Sequence, residues 1–235
     1  APSGATRGAS TMFLGHIAVG FAGKRVAPKT SLGALLLAPL FLDAVWPVFL
    51  ALGWERARVV PGITVVTPLD FQYYPWSHSL AMAVVWAALF GLAYRALRGS
   101  TRAAVWLAIA VLSHWVFDLV VHRPDLQLAP GIETRFGFGV WNHRLATAVV
   151  ELGLFALGLG LWLRAYRPRG AQGWIAFSSL VLLLLFLFAD VVNGAPPPSM
   201  KAVMYSAFGL YILVPWAIWL DRHSRVVGTA ARVTP

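Results

Sequence analysis

Long runs of apolar residues alternate with short polar or proline-bearing segments along most of the chain. A run of about 20 apolar residues is long enough to cross a bilayer as a helix. Six runs reach that length: Ser31–Leu52, His78–Leu97, Ala103–Val121, Leu145–Leu163, Trp174–Val192 and Ala202–Leu220. The pattern therefore predicts an all-α fold, a polytopic transmembrane helix bundle with six full spans.

One further apolar segment, Met12–Gly23, is only 12 residues long and is followed directly by the basic residue Lys24. It is too short to span a bilayer alone, so we expect a re-entrant or half-helix that dips into the bundle. The stretch before it lacks the apolar core of a signal peptide. The predicted organisation is an N-terminal extension (1–11), a single transmembrane domain (12–221) and a tail (222–235).

Basic residues collect before the first apolar run, in the second and fourth connections between the runs, and after the sixth run. These basic segments are Lys24–Lys29, Arg95–Arg102, Arg164–Arg169 and Arg222–Arg225. Loops rich in lysine and arginine stay on the cytoplasmic side of a membrane. We therefore predict a cytoplasmic carboxyl end, with the loops Gly53–Ser77 and His122–Arg144 on the outer face.

The composition supports a membrane protein. The chain has 235 residues, of which 59% are hydrophobic and 12% charged, and its formal net charge is +10. Soluble domains carry about 25% charged residues, so a water-soluble enzyme is excluded, and we assign the positive charge to membrane topology rather than to nucleic-acid binding. The sequence contains no cysteine, which excludes disulfides and thiolate metal sites.

A small set of titratable side chains falls at the predicted membrane depth. They are His16, Asp43, His78, His114, Asp118, Glu151 and Asp190. A central acid costs at least about 2.5–3.5 kcal/mol in hydrocarbon, so each should face the protein interior. At about 1.5 Å per helical residue, all of them fall in the central or outer half of the bilayer. This clustering is the main functional signal in the sequence.

The most specific local motif ends the third predicted span, where His114, Asp118 and His122 recur every fourth residue and share one helix face. Three imidazoles and two carboxylates could together form a site that suits zinc, manganese or iron(II). These candidate ligands are His16, Asp43, His78, His114 and Asp118. The alternative is a helix-to-helix hydrogen bond, because polar pairs also join helices in membranes.

The order of the motifs resembles a known family. Gly15-His16, Leu42-Asp43, Ser77-His78-Ser79 and Leu112-Ser113-His114 followed by Asp118 resemble the bacterial membrane-bound metal-dependent hydrolase-like family, over roughly residues 13–125. That family carries a Gly-His, a Pro-Asp-x-Asp, a His-Arg-x-x-Thr-His-Ser and a Ser-His-x-x-x-Asp in this order. The resemblance implies that the same five residues are metal ligands.

Two positions depart from the family pattern. The segment Pro39–Asp43 lacks the first aspartate of the family's pair, and Gln72–Pro75 stands where the family has its first histidine. We therefore expect a single divalent, zinc-like ion rather than a bridged pair. A relic of the site that binds no metal stays open.

The leading interpretation is a metal-dependent hydrolase of the bacterial inner membrane, acting on a membrane-accessible ester or phosphoester. A metal would polarise the scissile oxygen and lower the pKa of bound water, and Asp118, His122 or Glu151 would accept a proton. Glu151 could instead pair with Arg144 or His143. Two other functions stay open, a non-enzymatic subunit or assembly factor among other membrane proteins and a small transporter. All three involve the lipid bilayer, and none involves nucleic acid.

Overall fold

The computed structural model describes residues 13–227, so the predicted extension at 1–11 and the last part of the predicted tail lie outside it. The described helices are α1 (Leu14–Val26), α2 (Leu32–Leu37), α3 (Phe41–Ala51), α4 (Pro75–His78), α5 (Leu80–Arg98), α6 (Thr101–Val121), α7 (Arg144–Ala165), α8 (Gly170–Asn193), α9 (Met200–Ala207) and α10 (Leu210–Arg222). The strands are β1 (Arg56–Val59), β2 (Leu69–Tyr73), β3 (Leu126–Gln127), β4 (Arg135–Phe136), β5 (Tyr166–Pro168) and β6 (Ser224–Val226).

Within the described range, five helical stretches are long and apolar enough to cross a membrane. They are α5, α6, α7, α8 and the stretch Met200–Arg222, which comprises α9 and α10. This arrangement fits a multi-pass membrane protein whose helices contact lipid. Side-chain caps fix where several of these helices begin. For example, Ser79 Oγ accepts from Met82 N at the start of α5, and Ser100 Oγ accepts from Ala103 N at the start of α6.

The expected span Ser31–Leu52 is not a continuous helix. α2 ends before Pro39 and α3 begins after it, because proline has no amide hydrogen to continue the helical hydrogen-bond ladder. Hydropathy does not reveal this break, since proline is tolerated in apolar membrane helices. The break places a helix start inside the bundle, with Asp43 in its first turn, where the helix dipole favours a negative charge.

The short helix α1 packs deeply within the bundle. A Cβ atom at Gly158 of α7 would lie 2.4 Å from the carbonyl oxygen of Ala18, and one at Gly20 would lie 2.6 Å from that of Leu35 in α2. Only glycine allows backbones to approach so closely. α1 therefore packs tightly between α7 and α2, which places His16 in the interior with 0% of its surface exposed.

The two ends of the bundle carry different connections. At one end, β5 pairs with β6, and Lys24 contacts Asp221; this contact is called here the clamp, and this end the clamp end. At the opposite end, called here the hairpin end, β1 pairs with β2, β3 pairs with β4, and a 3₁₀ turn spans Val140–Asn142. The described chain is mostly helical, as predicted, and these short two-stranded sheets are a minor departure from the all-α prediction. They arise because the longer connections must pair their backbone polar groups.

Candidate metal centre

Four titratable side chains converge where α3, α4 and α6 meet. His114 Nε2 lies 3.1 Å from Asp118 Oδ2 and 3.3 Å from His78 Nε2. Asp43 Oδ1 lies 3.5 Å from His78 Nε2 and 3.9 Å from His114 Nε2. All four residues are buried. The spacing of four residues on α6 therefore does put His114 and Asp118 on one face, and the break before α3 brings Asp43 to them.

His16 joins this group from α1. Its Nε2 lies 3.1 Å from Asp118 Oδ1, and its ring stacks on that of His114 with the ring centroids 3.9 Å apart. The two oxygens of Asp118 therefore face different histidines. The structure thus brings all five sequence-predicted ligands into one buried group, called here the His–Asp cluster: His16, Asp43, His78, His114 and Asp118.

The proton on His114 is fixed by the broken helix. Nδ1 of His114 lies 2.7 Å from the carbonyl oxygen of Pro39. A carbonyl can only accept a hydrogen bond, so Nδ1 carries the hydrogen. In a neutral imidazole Nε2 is then a bare lone pair, and it points at the other members of the cluster.

The proton on His78 is fixed by a hydrogen-bonded pair from the hairpin end. Ser77 Oγ lies 2.6 Å from Glu55 Oε2 and 2.6 Å from His78 Nδ1, and Ser77 N donates to Glu55 Oε1 at 2.7 Å. An ionised carboxylate only accepts, so the Ser77 hydroxyl donates to Glu55 and accepts from His78 Nδ1. Burial raises the pKa of Glu55, although the hydrogen bonds from Ser77 oppose that shift.

The resulting arrangement suits a cation. With both Nδ1 protons committed, the Nε2 lone pairs of neutral His78 and His114 face each other beside two carboxylates. Neither oxygen of buried Asp43 has a hydrogen bond to the part of the chain that the structure describes. Tetrahedral zinc with bonds of about 2.0–2.2 Å separates its ligands by about 3.3–3.6 Å, close to the spacings here. The cluster could therefore hold a metal ion, and two overlapping ligand groups, His16–His114–Asp118 and Asp43–His78–His114, both use His114.

His122 extends the cluster toward the hairpin end. Its Nε2 lies 3.8 Å from Asp118 Oδ2, and its Nδ1 lies 2.8 Å from Asp125 Oδ1, which also accepts from the Tyr74 hydroxyl at 2.9 Å. Burial lowers the pKa of His122, but the carboxylates of Asp125 and Asp118 outweigh it, so this pKa lies above the ordinary value. Burial and the charge of Asp125 raise the pKa of Tyr74. The His122 ring packs on Trp141, with centroids 4.2 Å apart.

Glu151, predicted as a proton acceptor or as a partner of Arg144 or His143, is engaged by the start of α1. Its Oε1 accepts from Phe13 N at 3.2 Å, and its Oε2 accepts from Gly15 N at 3.0 Å. The first amides of a helix have no partner within the helix, so this carboxylate supplies one across the bundle. In the structure Glu151 holds the helix that carries His16.

Sequence reasoning missed several residues that orient the cluster: Pro39, Glu55, Ser77, Tyr74 and Asp125. Three of them carried a signal, because Ser77 precedes His78, Tyr74 lies in the same segment and Asp125 follows His122 by three residues. The role of Glu55 had no signal, since 22 residues separate it from its partner Ser77.

Comparison with known proteins adds no assignment, because no family model, curated protein or solved structure matches this chain. The resemblance to the hydrolase-like family therefore stays a prediction, and the functional argument rests on the geometry of the cluster.

Proposed function

We propose that this protein is a metal-dependent hydrolase of the membrane, acting on a membrane-accessible ester or phosphoester. The observation that carries the proposal is the pair of Nε2 atoms 3.3 Å apart, on His78 and His114, whose Nδ1 protons are held elsewhere. Ligating histidines in metal enzymes are oriented in this way by a partner on the other ring nitrogen.

One divalent ion fits this donor set better than two. The two overlapping ligand groups share His114, and its Nδ1 is taken by Pro39, so only Nε2 is left for coordination. His78, Asp43 and Asp118 would complete the coordination with His114, while His16 would join from α1. Such an ion would polarise the scissile oxygen and lower the pKa of a bound water.

His122 is the residue best placed to accept a proton in this reaction. Asp125 holds the hydrogen on His122 Nδ1, which leaves Nε2 free and directed at Asp118. A histidine oriented by a carboxylate in this way is a frequent general base. The Tyr74 hydroxyl donates to the same oxygen of Asp125 and so helps to hold this carboxylate in place. We therefore assign Asp118 to binding and His122 to proton transfer.

The arginine pattern supports an orientation in the bacterial cytoplasmic membrane with the carboxyl end in the cytoplasm. α2 begins beside Asp221 at the clamp end, and α3 leads into β1 at the hairpin end. We propose that α2 and α3 together cross the membrane as a broken helix, which gives six crossings. The His–Asp cluster would then be reached from the outer side, where Phe71, Tyr74 and Trp141 surround His122.

The test is the metal content of the full chain, purified in detergent, together with hydrolysis of chromogenic ester and phosphoester probes. Wild type should hold about one divalent ion per chain, whereas His114→Ala and Asp118→Asn should hold almost none and lose hydrolysis. His223→Ala is the matched control, because His223 lies at the clamp end and bonds the Trp219 carbonyl. A folded wild type that binds neither zinc, manganese nor iron would sink the proposal. In that case the non-enzymatic subunit or assembly factor would become the better interpretation.

A further inference from the structure

We infer that Glu55 and Ser77 are positioning residues that select the ring tautomer of His78 and thereby keep its Nε2 open for a metal. The consequence for metal binding rests on the proposed function, whereas the tautomer itself is a property of the metal-free protein. Neither residue touches the candidate ion, since both lie on the Nδ1 side of the ring.

The direction of each hydrogen bond follows from the ionised carboxylate. Glu55 is 2% exposed and receives two donors from Ser77, the amide on Oε1 and the hydroxyl on Oε2. Having given its only hydrogen to Glu55, the Ser77 hydroxyl can only accept from His78 Nδ1. The Tyr74 carbonyl is a further acceptor for this hydroxyl, but at 3.5 Å it is much farther away than the carboxylate at 2.6 Å.

Without this pair, His78 would adopt the other tautomer. Asp43 Oδ1 and Asp118 Oδ2 lie 3.5 and 3.9 Å from His78 Nε2. In the metal-free protein these two carboxylates attract a hydrogen to Nε2, and only the acceptor at Nδ1 opposes them. A hydrogen on Nε2 would block coordination. The Glu55–Ser77 pair therefore determines whether His78 Nε2 can act as a metal ligand.

The isosteric change Glu55→Gln should reverse the direction of the two hydrogen bonds that link residue 55, Ser77 and His78. The glutamine side chain has one acceptor oxygen, which the amide of Ser77 requires, so its NH₂ group must donate to Ser77 Oγ. The opposite orientation would set the NH₂ group against the Ser77 amide. The Ser77 hydroxyl must then donate to its nearest acceptor, His78 Nδ1 at 2.6 Å, and the ring hydrogen moves to Nε2.

The experiment is ¹⁵N NMR of histidine-labelled, metal-free protein in detergent micelles, followed by Zn²⁺ titration of the same samples. Wild type should show His78 with its hydrogen on Nδ1, and both Glu55→Gln and Ser77→Ala should show it on Nε2. Zn²⁺ affinity should fall about 10- to 100-fold in both variants, as expected when a metal ligand loses its orienting partner. Glu133→Gln is the matched control, because Glu133 is exposed on the same end, and it should change neither readout.

The two readouts separate the two hypotheses. If His78 keeps its hydrogen on Nδ1 in both Glu55→Gln and Ser77→Ala, the inference is wrong whatever zinc does. If the tautomer changes as expected but wild type binds no zinc, the positioning role stands and the proposed function fails. Should one variant fail to fold, the other still tests the inference, since each variant changes the hydrogen bond between residue 77 and His78 Nδ1.

Discussion

Two polar networks in the described part of the bundle differ in how completely their polar groups are paired: the Lys24–Asp221 network and the His–Asp cluster. At the clamp end, Lys24 Nζ lies 2.7 Å from Asp221 Oδ1 and donates to the Thr30 carbonyl at 2.8 Å, while Asp221 also accepts from Leu32 N at 3.1 Å. Each charge there meets an opposite charge and further hydrogen bonds. In the His–Asp cluster, by contrast, both oxygens of Asp43 and Nδ1 of His16 are buried without a hydrogen bond to any residue of the described range 13–227.

This difference is the one expected between a structural network and the ligand site proposed above. Burying a polar group without a partner is unfavourable, so a network that serves only to join helices is expected to be complete. The clamp is complete and joins α1, α2 and α10. The cluster directs lone pairs and carboxylate oxygens at one another, which is stable only when a proton or a metal cation lies among them. Under the proposed function, these unpaired groups lower stability in the metal-free protein in exchange for binding, as is common at functional sites.

Breaking the clamp should have the largest effect on stability. Lys24→Met leaves the carboxylate of Asp221, whose side chain is 18% exposed, without its counter-charge. Removing one partner of a buried ion pair costs about 3–5 kcal/mol. Chemical denaturation in detergent should show this loss, and Lys29→Met, which removes the same charge from an exposed position, should change stability little. A loss below 1 kcal/mol in Lys24→Met would mean that the clamp is not a stabilising network.

Zinc that binds at the cluster should raise the free energy of unfolding by a comparable amount, and this gain should not depend on the clamp. A ligand that binds only the folded protein adds about 2.7 kcal/mol when its free concentration is 100 times the Kd. Wild type and Lys24→Met should gain this increment equally, because the two networks share no side chain and distant effects add. His114→Ala should gain none. An equal gain in His114→Ala would show that zinc binds outside the cluster.

Much of the fold was predictable because hydropathy reports helices that face lipid. The runs that became α5, α6, α7 and α8 were found within a few residues, and the shared face of His114 and Asp118 followed from helical periodicity. The break at Pro39 was not predictable, since an apolar run has the same hydropathy whether it is straight or broken.

Long-range pairings limited the prediction of the polar networks. Lys24 was interpreted as a basic residue of a loop, yet it is 5% exposed and pairs with Asp221, 197 residues away. Glu151 was placed near the cluster but its contact with the first amides of α1 involves backbone groups, which the sequence does not distinguish. Residue types and spacing locate side chains along one helix, whereas the partners from other helices depend on packing.

Moving α1 should affect both stability and the cluster. Gly158→Leu would force its side chain into the backbone of Ala18, where even a Cβ would lie 2.4 Å from the carbonyl oxygen. Overpacking of this kind costs about 1–3 kcal/mol, and it would draw His16 away from Asp118 and weaken Zn²⁺ binding. Gly153→Leu is the control on the same helix, because a Cβ there meets nothing within 4 Å. Unchanged zinc affinity in a destabilised Gly158→Leu would remove His16 from the ligand set.

The smallest effect on stability should come from Asp43, the acid that α3 contributes to the cluster. Asp43→Asn removes a desolvated charge whose oxygens make no hydrogen bond, and that gain offsets the lost attraction to His78, His114 and the start of α3. The metal-free protein should therefore change by less than about 1 kcal/mol, while its Zn²⁺ affinity should fall sharply because an amide is a much weaker ligand than a carboxylate. Asp190→Asn provides the same change at the end of α8, and it should leave both stability and zinc affinity as in wild type. If Asp43→Asn instead destabilised the metal-free protein as strongly as Lys24→Met, the cluster would be a second structural clamp, and the contrast between the two networks would disappear.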